Sequence, residues 1–190
     1  MAESSALVRS FVGVSVPALP IVNTVLRKLN AMGTAIKTVQ EATLHVTLKF
    51  LGDVPADRIA PIGNAIAKSA ANFSAHRIEL HGIGAFPDER RPSVIWIGLK
   101  RVETLVTLAS EIELAMCDFG FEPESRAFSP HLTLARVKTK PPSTLFELIE
   151  AHRRTPFGDF AVDKVKLYRS ELTPGGPVYS VLKTCPLSSV

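Results

Sequence analysis

The stretch LHVTLKF (residues 44–50) contains His45, an apolar residue, Thr47 and a leucine. The same order returns in PHLTLAR (residues 130–136), where it begins at His131. In a β-strand, side chains two residues apart point to the same side of the sheet. His45 and Thr47 therefore share one face of a predicted strand, and the apolar residues beside them share the other. Each copy predicts a strand with a polar His/Thr face and an apolar core face.

Strand and helix patterns alternate in the same order on both sides of a polar, proline-flanked junction, PDERRP (residues 87–92). Each half is predicted as a strand, a helix, the motif strand, a second helix and a third strand, and FAVDKVKLYRSEL (residues 160–172) is predicted as one strand. We therefore expect a single domain over residues 1–190. Its two lobes would derive from duplicated α/β units, approximately residues 8–86 and 93–182, with a cleft between the motif strands.

The composition is that of an ordinary soluble globular protein, with 46% hydrophobic and 21% charged residues. No apolar run approaches the roughly 18 residues that a membrane-spanning helix needs. The N-terminal residues lack the basic-then-apolar pattern of a signal peptide, so we expect a cytoplasmic protein. Two cysteines without a CxxC motif indicate neither a disulfide framework nor a zinc site. The net charge of +4 permits a polyanion partner such as RNA without requiring one.

The duplicated motif predicts a site for a small anionic centre. If the two strands are related by symmetry, the two histidines and two threonines converge. With a pKa of about 6.5, one imidazole can act as a neutral base and the other as a cationic acid. Threonine hydroxyls can donate to phosphate oxygens. A lone His-x-Thr is common by chance, but two copies in matching strands favour shared chemistry. A zinc site would require further His, Cys or carboxylate ligands, and threonine is not a usual zinc ligand.

The chain resembles the two-histidine (2H) phosphoesterase superfamily and, within it, the RNA 2′,3′-cyclic phosphodiesterases, a family once named as 2′-5′ RNA ligases. The resemblance covers nearly the whole chain, and the full set of motifs in this order is highly specific. The motifs are RSFVGVSVP (9–17), LHVTLKFLGDV (44–54), GIGAFPDERRPSVIWIGL (82–99), RAFSPHLTLARV (126–137) and VKLYRSELTPGGPVYSVL (165–182).

The resemblance implies an α+β fold with two pseudo-symmetric lobes, whose antiparallel sheets flank a central cleft and whose helices lie outside. It implies hydrolysis of 2′,3′-cyclic phosphodiester ends to 2′-phosphates, without a metal or other cofactor. On the matching motif positions, His45 is the proton donor to the leaving 3′ oxygen and His131 is the proton acceptor that activates water. Thr47, Thr133 and Arg136 are implied to bind the phosphate.

The sequence leaves two interpretations of Arg136 open. Arg136 follows His131 by an odd number of residues, so on a regular strand it points to the opposite face. It reaches the phosphate only if the strand bulges, twists or bends near Ala135. Otherwise it is a surface residue whose aliphatic part covers Leu134.

Three further side chains near the motifs are also ambiguous. Lys49 lies on the face of His45 by alternation, so it either adds charge to the cleft edge or ends the strand in solvent. Phe11 and Phe50 can stack on a nucleic acid base, but phenylalanines in apolar strands are more often core residues. We predict that both belong to the core.

Two other functions remain compatible with these residues. The chain can be a module that binds a phosphate or an RNA end without turnover. The older name of the family that the chain resembles implies a further alternative, ligation of RNA to a 2′-5′ linkage, which is the reverse of the same reaction with a 5′-hydroxyl replacing water. The expected partners are RNA 3′ ends or nucleoside 2′,3′-cyclic phosphates, with no membrane, and we expect a monomer.

Overall fold

The computed structural model describes residues 6–174 and 176–188, which contain nine strands and four α-helices. In chain order the strands are β1 (Leu7–Ser15), β2 (Ile36–Thr38), β3 (His45–Pro55), β4 (His76–Phe86), β5 (Val94–Lys100), β6 (His131–Val137), β7 (Pro156–Val162), β8 (Lys164–Thr173) and β9 (Gly176–Pro186). The helices are α1 (Pro20–Asn30), α2 (Ile59–Ala70), α3 (Glu103–Cys117) and α4 (Ser143–Ala151). None of the helices in these described ranges is long and apolar enough to cross a membrane.

The helices form where apolar residues recur every three or four positions. In α1, Pro20 occupies the first turn, where its missing N–H is not needed. Val22, Val25 and Leu29 then fall on one buried face of α1. Helices α2 and α3 follow the same rule and pack against each other. Each of these helices therefore packs against the sheet through one apolar stripe.

The strands form an antiparallel sheet in the order β7-β4-β5-β6-β3-β1-β8-β9, with β2 paired to one end of β6. Between β3 and β6 the register gives one pair, Val46 with Leu132. We call β3, β1, β8 and β9 with α2 and α3 the first lobe. We call β6, β5, β4 and β7 with β2, α1 and α4 the second lobe. Packing of the helices on these strands confirms the predicted α+β class with two lobes.

The lobes interleave the two halves of the sequence. Strand β4 comes from the first half but pairs with β5, and β8 comes from the second half but pairs with β1. The boundaries at residues 8–86 and 93–182 stay a prediction. The single strand predicted over residues 160–172 is wrong, because Asp163 separates β7 from β8 and the two strands lie in different lobes.

Candidate active site

The two motif strands meet at the centre of the molecule. Val46 and Leu132 pair there and both side chains are fully buried, so the apolar faces of both motifs lie in the core. Because the two strands run antiparallel, the residues that flank this pair also lie side by side. His45 lies beside Thr133, and His131 lies beside Thr47. The strands therefore bring the two predicted His/Thr pairs together around a local two-fold relation.

Both motif histidines are held by a backbone carbonyl two residues earlier in the chain. His45 Nδ1 lies 2.7 Å from the Thr43 carbonyl oxygen, and His131 Nδ1 lies 2.8 Å from that of Ser129. A carbonyl oxygen only accepts, so Nδ1 is the donor in both contacts. This fixes the neutral tautomer and leaves Nε2 of each ring free to exchange protons with a ligand.

An aromatic ring stands edge-to-face against each of these imidazoles. Tyr179 contacts His45 with ring centroids 5.1 Å apart and an interplanar angle of 87°. Phe86 contacts His131 at 5.0 Å and 84°. Phe11 also packs on His45, at 4.8 Å. Because rings packed in this way restrict rotation, both imidazoles are held in one orientation.

A β-bulge follows the His-x-Thr triplet on β3. Adjacent residues of β1 pair with Thr47 and Lys49, so Leu48 has no partner across the ladder. Such a bulge shifts the alternation of side chains by one residue. Lys49 is consequently directed into the protein, and Phe50 lines the cavity beside the motif strands.

The second motif strand carries the same irregularity at the matching position. Adjacent residues of β5 pair with Thr133 and Ala135, which leaves Leu134 without a partner on β5. The bulge brings Arg136 to the cavity side of β6. Of the two interpretations of Arg136, the structure therefore supports the one that needed a bulge near Ala135.

Both expectations for Lys49 are wrong, and so is the one for Phe50. Lys49 is only 4% exposed, and its ammonium donates to Glu113 Oε1 at 2.5 Å and to the Glu122 carbonyl at 3.2 Å. Phe50 is 66% exposed at the cavity. Phe11 is a core residue as predicted, and it also borders the cavity.

The cavity beside the motif strands has a volume of about 440 Å³. Four of the predicted site residues line it, namely His45, Thr47, Thr133 and Arg136. His131 is not part of this lining, but it is close enough to His45 for its charge to affect the neighbouring imidazole. The structure thus brings all five residues into one region, with His131 at its border.

Tyr179 also lines the cavity, and the sequence did not single it out. Burial raises its pKa, while the charges of Arg136 and Arg9 act in the opposite direction. The phenol is therefore a neutral hydroxyl donor close to two guanidinium groups. No local pattern marks Tyr179, because it reaches His45 only through the pairing of β9 with β8 and of β8 with β1.

The electrostatic environment lowers the pKa of His45 below its ordinary value. Burial of the imidazole is the largest cause, the hydrogen bond to the Thr43 carbonyl opposes it, and the charge of His131 lowers the pKa further. In the free protein His45 therefore favours its neutral form. A bound anion would raise the pKa again, because a nearby negative charge stabilises the imidazolium.

This lowered pKa predicts a loss of stability in mild acid. As the pH falls through about 6.5, His45 takes up a proton in the unfolded chain before it does so in the folded one. Its contribution is thus complete above that pH and is lost as the pH falls through the folded value. We expect the urea-unfolding free energy of the wild type to fall more between pH 7.5 and 5.5 than that of His45→Gln.

His152→Gln is the matched control for this measurement. Burial and the nearby charge of Lys28 also lower the pKa of His152. The His152→Gln variant therefore measures how much a second histidine, outside the cavity, contributes to the pH dependence of stability. The His152→Gln variant should keep the part of the pH dependence that His45→Gln loses. Equal pH dependence in the wild type and His45→Gln would contradict the prediction.

No cluster of three or more His, Cys, Asp or Glu side chains is placed to hold a metal ion within residues 6–174 and 176–188. The polar side chains that line the cavity are instead the His45 imidazole, hydroxyls, the Gln40 amide, guanidiniums and ammoniums. These groups are donors to anions rather than ligands for hard cations.

Several known proteins are similar to this chain in sequence and in fold. The model of the 2′-5′ RNA ligase superfamily matches residues 26–174. An RNA 2′,3′-cyclic phosphodiesterase of Methanothermobacter thermautotrophicus is 36% identical over 153 residues, which cover 80% of this chain and 83% of the relative. The crystal structure of TT0787 of Thermus thermophilus superposes with a TM-score of 0.77 at 28% identity, covering 94% of this chain and 97% of that one. E. coli LigT complexed with 3′-AMP gives a TM-score of 0.70 at 25% identity, with 96% and 99% coverage.

These matches agree with a phosphoesterase fold, and in this chain that fold carries two opposed His-x-Thr strands. The chain belongs to the 2′-5′ RNA ligase superfamily and, within it, to the family of the RNA 2′,3′-cyclic phosphodiesterases. The family predicted from the paired motifs is confirmed.

Proposed function

We propose that this protein hydrolyses the 2′,3′-cyclic phosphodiester at RNA 3′ ends, and in nucleoside 2′,3′-cyclic phosphates, to a 2′-phosphate without a metal ion. The observation that carries the proposal is the pairing at Val46–Leu132, which brings His131, at the border of the cavity, close to the cavity-lining His45, each with a free Nε2 atom. The relative from M. thermautotrophicus, named as an RNA 2′,3′-cyclic phosphodiesterase, supports the same reaction.

In this mechanism the reacting phosphorus lies between the two imidazoles. His131 Nε2 removes a proton from water, whose oxygen attacks phosphorus. The bond from phosphorus to the 3′ oxygen breaks, and His45 Nε2 donates a proton to that oxygen. The product is a 2′-phosphate with a free 3′-hydroxyl, and the histidines exchange protons with solvent before the next turnover. The roles of acid and base follow the family resemblance.

The remaining groups stabilise charge on the non-bridging oxygens. The Thr47 and Thr133 hydroxyls lie on the cavity faces of the motif strands and can each donate to one oxygen. Arg136 supplies a permanent positive charge that the bulge at Leu134 directs into the same cavity. These groups serve the role that a metal ion has in other phosphodiesterases, which supports metal-independent turnover.

The acid role of His45 couples its protonation to binding. Burial favours neutral imidazole in the free protein, whereas the bound phosphodiester anion favours the imidazolium. A substrate therefore helps to charge the group that later protonates its leaving oxygen. We expect a bell-shaped pH profile for kcat, because one histidine must be neutral and the other charged.

The test is incubation of the purified protein with the four nucleoside 2′,3′-cyclic phosphates and a short RNA ending in one, with EDTA present. We expect a 2′-phosphate product in every case and no effect of EDTA. Abolition by EDTA with recovery on adding zinc would overturn the metal-independent mechanism. Retained RNA binding without any product would overturn hydrolysis in favour of a phosphate-binding module, and a 2′-5′ linked product would identify ligation.

We further propose that the active protein is a monomer and that its substrates are RNA ends or nucleoside cyclic phosphates. One imidazole from each half of a single chain meets at the site, so the proposed chemistry is complete without a second copy. Light scattering coupled to size-exclusion chromatography, at the protein concentration used for the assay, would measure the mass. The cytoplasmic location stays a prediction.

A further inference from the structure

The cavity carries more positive charge than one cyclic phosphate requires. Arg9, Lys37, Arg136 and Lys138 line it, and no aspartate or glutamate is among the described residues that do so. A 2′,3′-cyclic phosphodiester carries a single negative charge. The surplus of cations indicates a substrate with further phosphate groups.

Three of these cations lie together on the second lobe, and we call Lys37, Arg136 and Lys138 the basic edge. Lys37 on β2 pairs directly with Arg136 on β6, and Lys138 follows two residues later. Like charges directly opposite each other on neighbouring strands destabilise a sheet. Within the described part of the chain, no ion pair or side-chain hydrogen bond to these three side chains offsets that repulsion.

The position of Lys37 directs its charge over the cavity rather than away from it. Its ammonium nitrogen lies 3.6 Å from where a Cβ on Gly176 would stand, at the tip of the β8–β9 hairpin. Lys37 belongs to the second lobe and Gly176 to the first, so the lysine side chain crosses the cleft. A group bound below it would be enclosed between β2 and the hairpin, whose Leu172 and Tyr179 also line the cavity.

The far end of the basic edge lies beyond the reacting phosphate. Lys138 follows Thr133 by five residues, which at about 3.4 Å per residue is at most about 17 Å, and the bulge at Leu134 shortens this distance. A phosphate held by Thr133 is thus separated from the backbone of Lys138 by more than its own width. Lys138 therefore serves a group further along the substrate.

We infer that the two lysines of the basic edge, Lys37 and Lys138, bind the internucleotide phosphate on the 5′ side of the terminal cyclic nucleotide, so that the protein prefers oligonucleotide ends to mononucleotides. This inference rests on the proposed function and extends it to the substrate class. Lys37 and Lys138 are the specificity-determining residues, and Arg136, the strand partner of Lys37, stays assigned to the reacting phosphate.

The test compares three substrates: cytidine 2′,3′-cyclic phosphate, the same nucleotide with a 5′-phosphate, and the dinucleotide CpC ending in a cyclic phosphate. For the wild type we expect kcat/KM to be about tenfold or more higher for the dinucleotide than for the plain mononucleotide, as one charge-assisted contact allows. The double variant Lys37→Gln/Lys138→Gln should reduce this ratio to near one. The matched control Lys28→Gln/Lys68→Gln removes the same charge from exposed helix positions and should keep the ratio.

A binding measurement separates this inference from the proposed reaction. Calorimetric titration with CpC and with cytidine, each ending in a 3′-phosphate, needs no turnover. We expect the logarithm of affinity for the dinucleotide to fall more steeply with the logarithm of salt concentration, by a slope of about 0.7 for one added phosphate contact. The double variant should lose this difference.

The outcomes are distinct. Equal affinity and equal kcat/KM for the dinucleotide and the plain mononucleotide in the wild type would overturn the inference while leaving the proposed hydrolysis intact. An equal gain from the 5′-phosphate alone would overturn the internucleotide assignment in favour of a terminal phosphate. If no substrate were hydrolysed, the proposed function would fail, and the binding comparison would still decide whether the basic edge holds a second phosphate.

Discussion

Replacement of His45 or His131 by alanine should each lower kcat for 2′,3′-cyclic phosphate hydrolysis by about 10²- to 10⁴-fold, the usual contribution of one proton-transfer group. The structure gives both rings the same support, an Nδ1 bond to a backbone carbonyl and an edge-to-face aromatic neighbour. Single-turnover assays on cytidine 2′,3′-cyclic phosphate would measure the loss without interference from product release.

The double variant His45→Ala/His131→Ala is the sharper part of this prediction. The losses of rate from removing two groups that act in the same transition state are not additive. The double variant should therefore be little slower than the more impaired single variant. His81→Ala is the matched control, since His81 is a half-buried strand histidine outside the cavity lining. If either motif variant, with an unchanged circular dichroism spectrum, kept a tenth of the wild-type rate, the paired acid–base mechanism would be wrong.

The local pattern of the motif strands was predictable because it depends on alternation alone. His45 and Thr47 share a face, and the apolar residues between and after them are buried, as a period of two requires. The same rule failed at Lys49 and Phe50, one step further along. A bulge at Leu48 resets the alternation there, and bulges depend on the neighbouring strand rather than on the sequence that contains them.

Long-range pairing accounts for the other features that the sequence did not reveal. The order of strands along the chain does not indicate that β4 joins β5 or that β8 joins β1. Tyr179 reaches His45, and Lys37 reaches Gly176, only after these pairings have formed. The duplicated motif singled out the proposed catalytic pair, whereas the residues that surround the rest of a substrate required the three-dimensional structure.

The second large effect is expected for stability, at the ion pair behind the first motif strand. Lys49 Nζ lies 2.5 Å from Glu113 Oε1, with side chains only 2% and 20% exposed. Glu113→Leu leaves the buried ammonium with the Glu122 carbonyl as its described partner. An uncompensated buried charge costs about 3–5 kcal/mol. For a chain of this size, that lowers Tm by roughly 6–20 °C, which differential scanning calorimetry would measure.

Removal of the other partner should cost less, because the two charges are unequally buried. In Lys49→Met, Glu113 keeps a bond from the Glu124 backbone N–H at 2.9 Å and partial access to water. The double variant Lys49→Met/Glu113→Leu removes both desolvated charges and should recover most of the stability that Glu113→Leu loses. A cost below about 1 kcal/mol for Glu113→Leu would contradict the prediction, because the ammonium would then not depend on its carboxylate partner. Because Lys49 follows Thr47 at the bulge, the Glu113→Leu variant should also lower kcat, by displacing the threonine hydroxyl from the cavity.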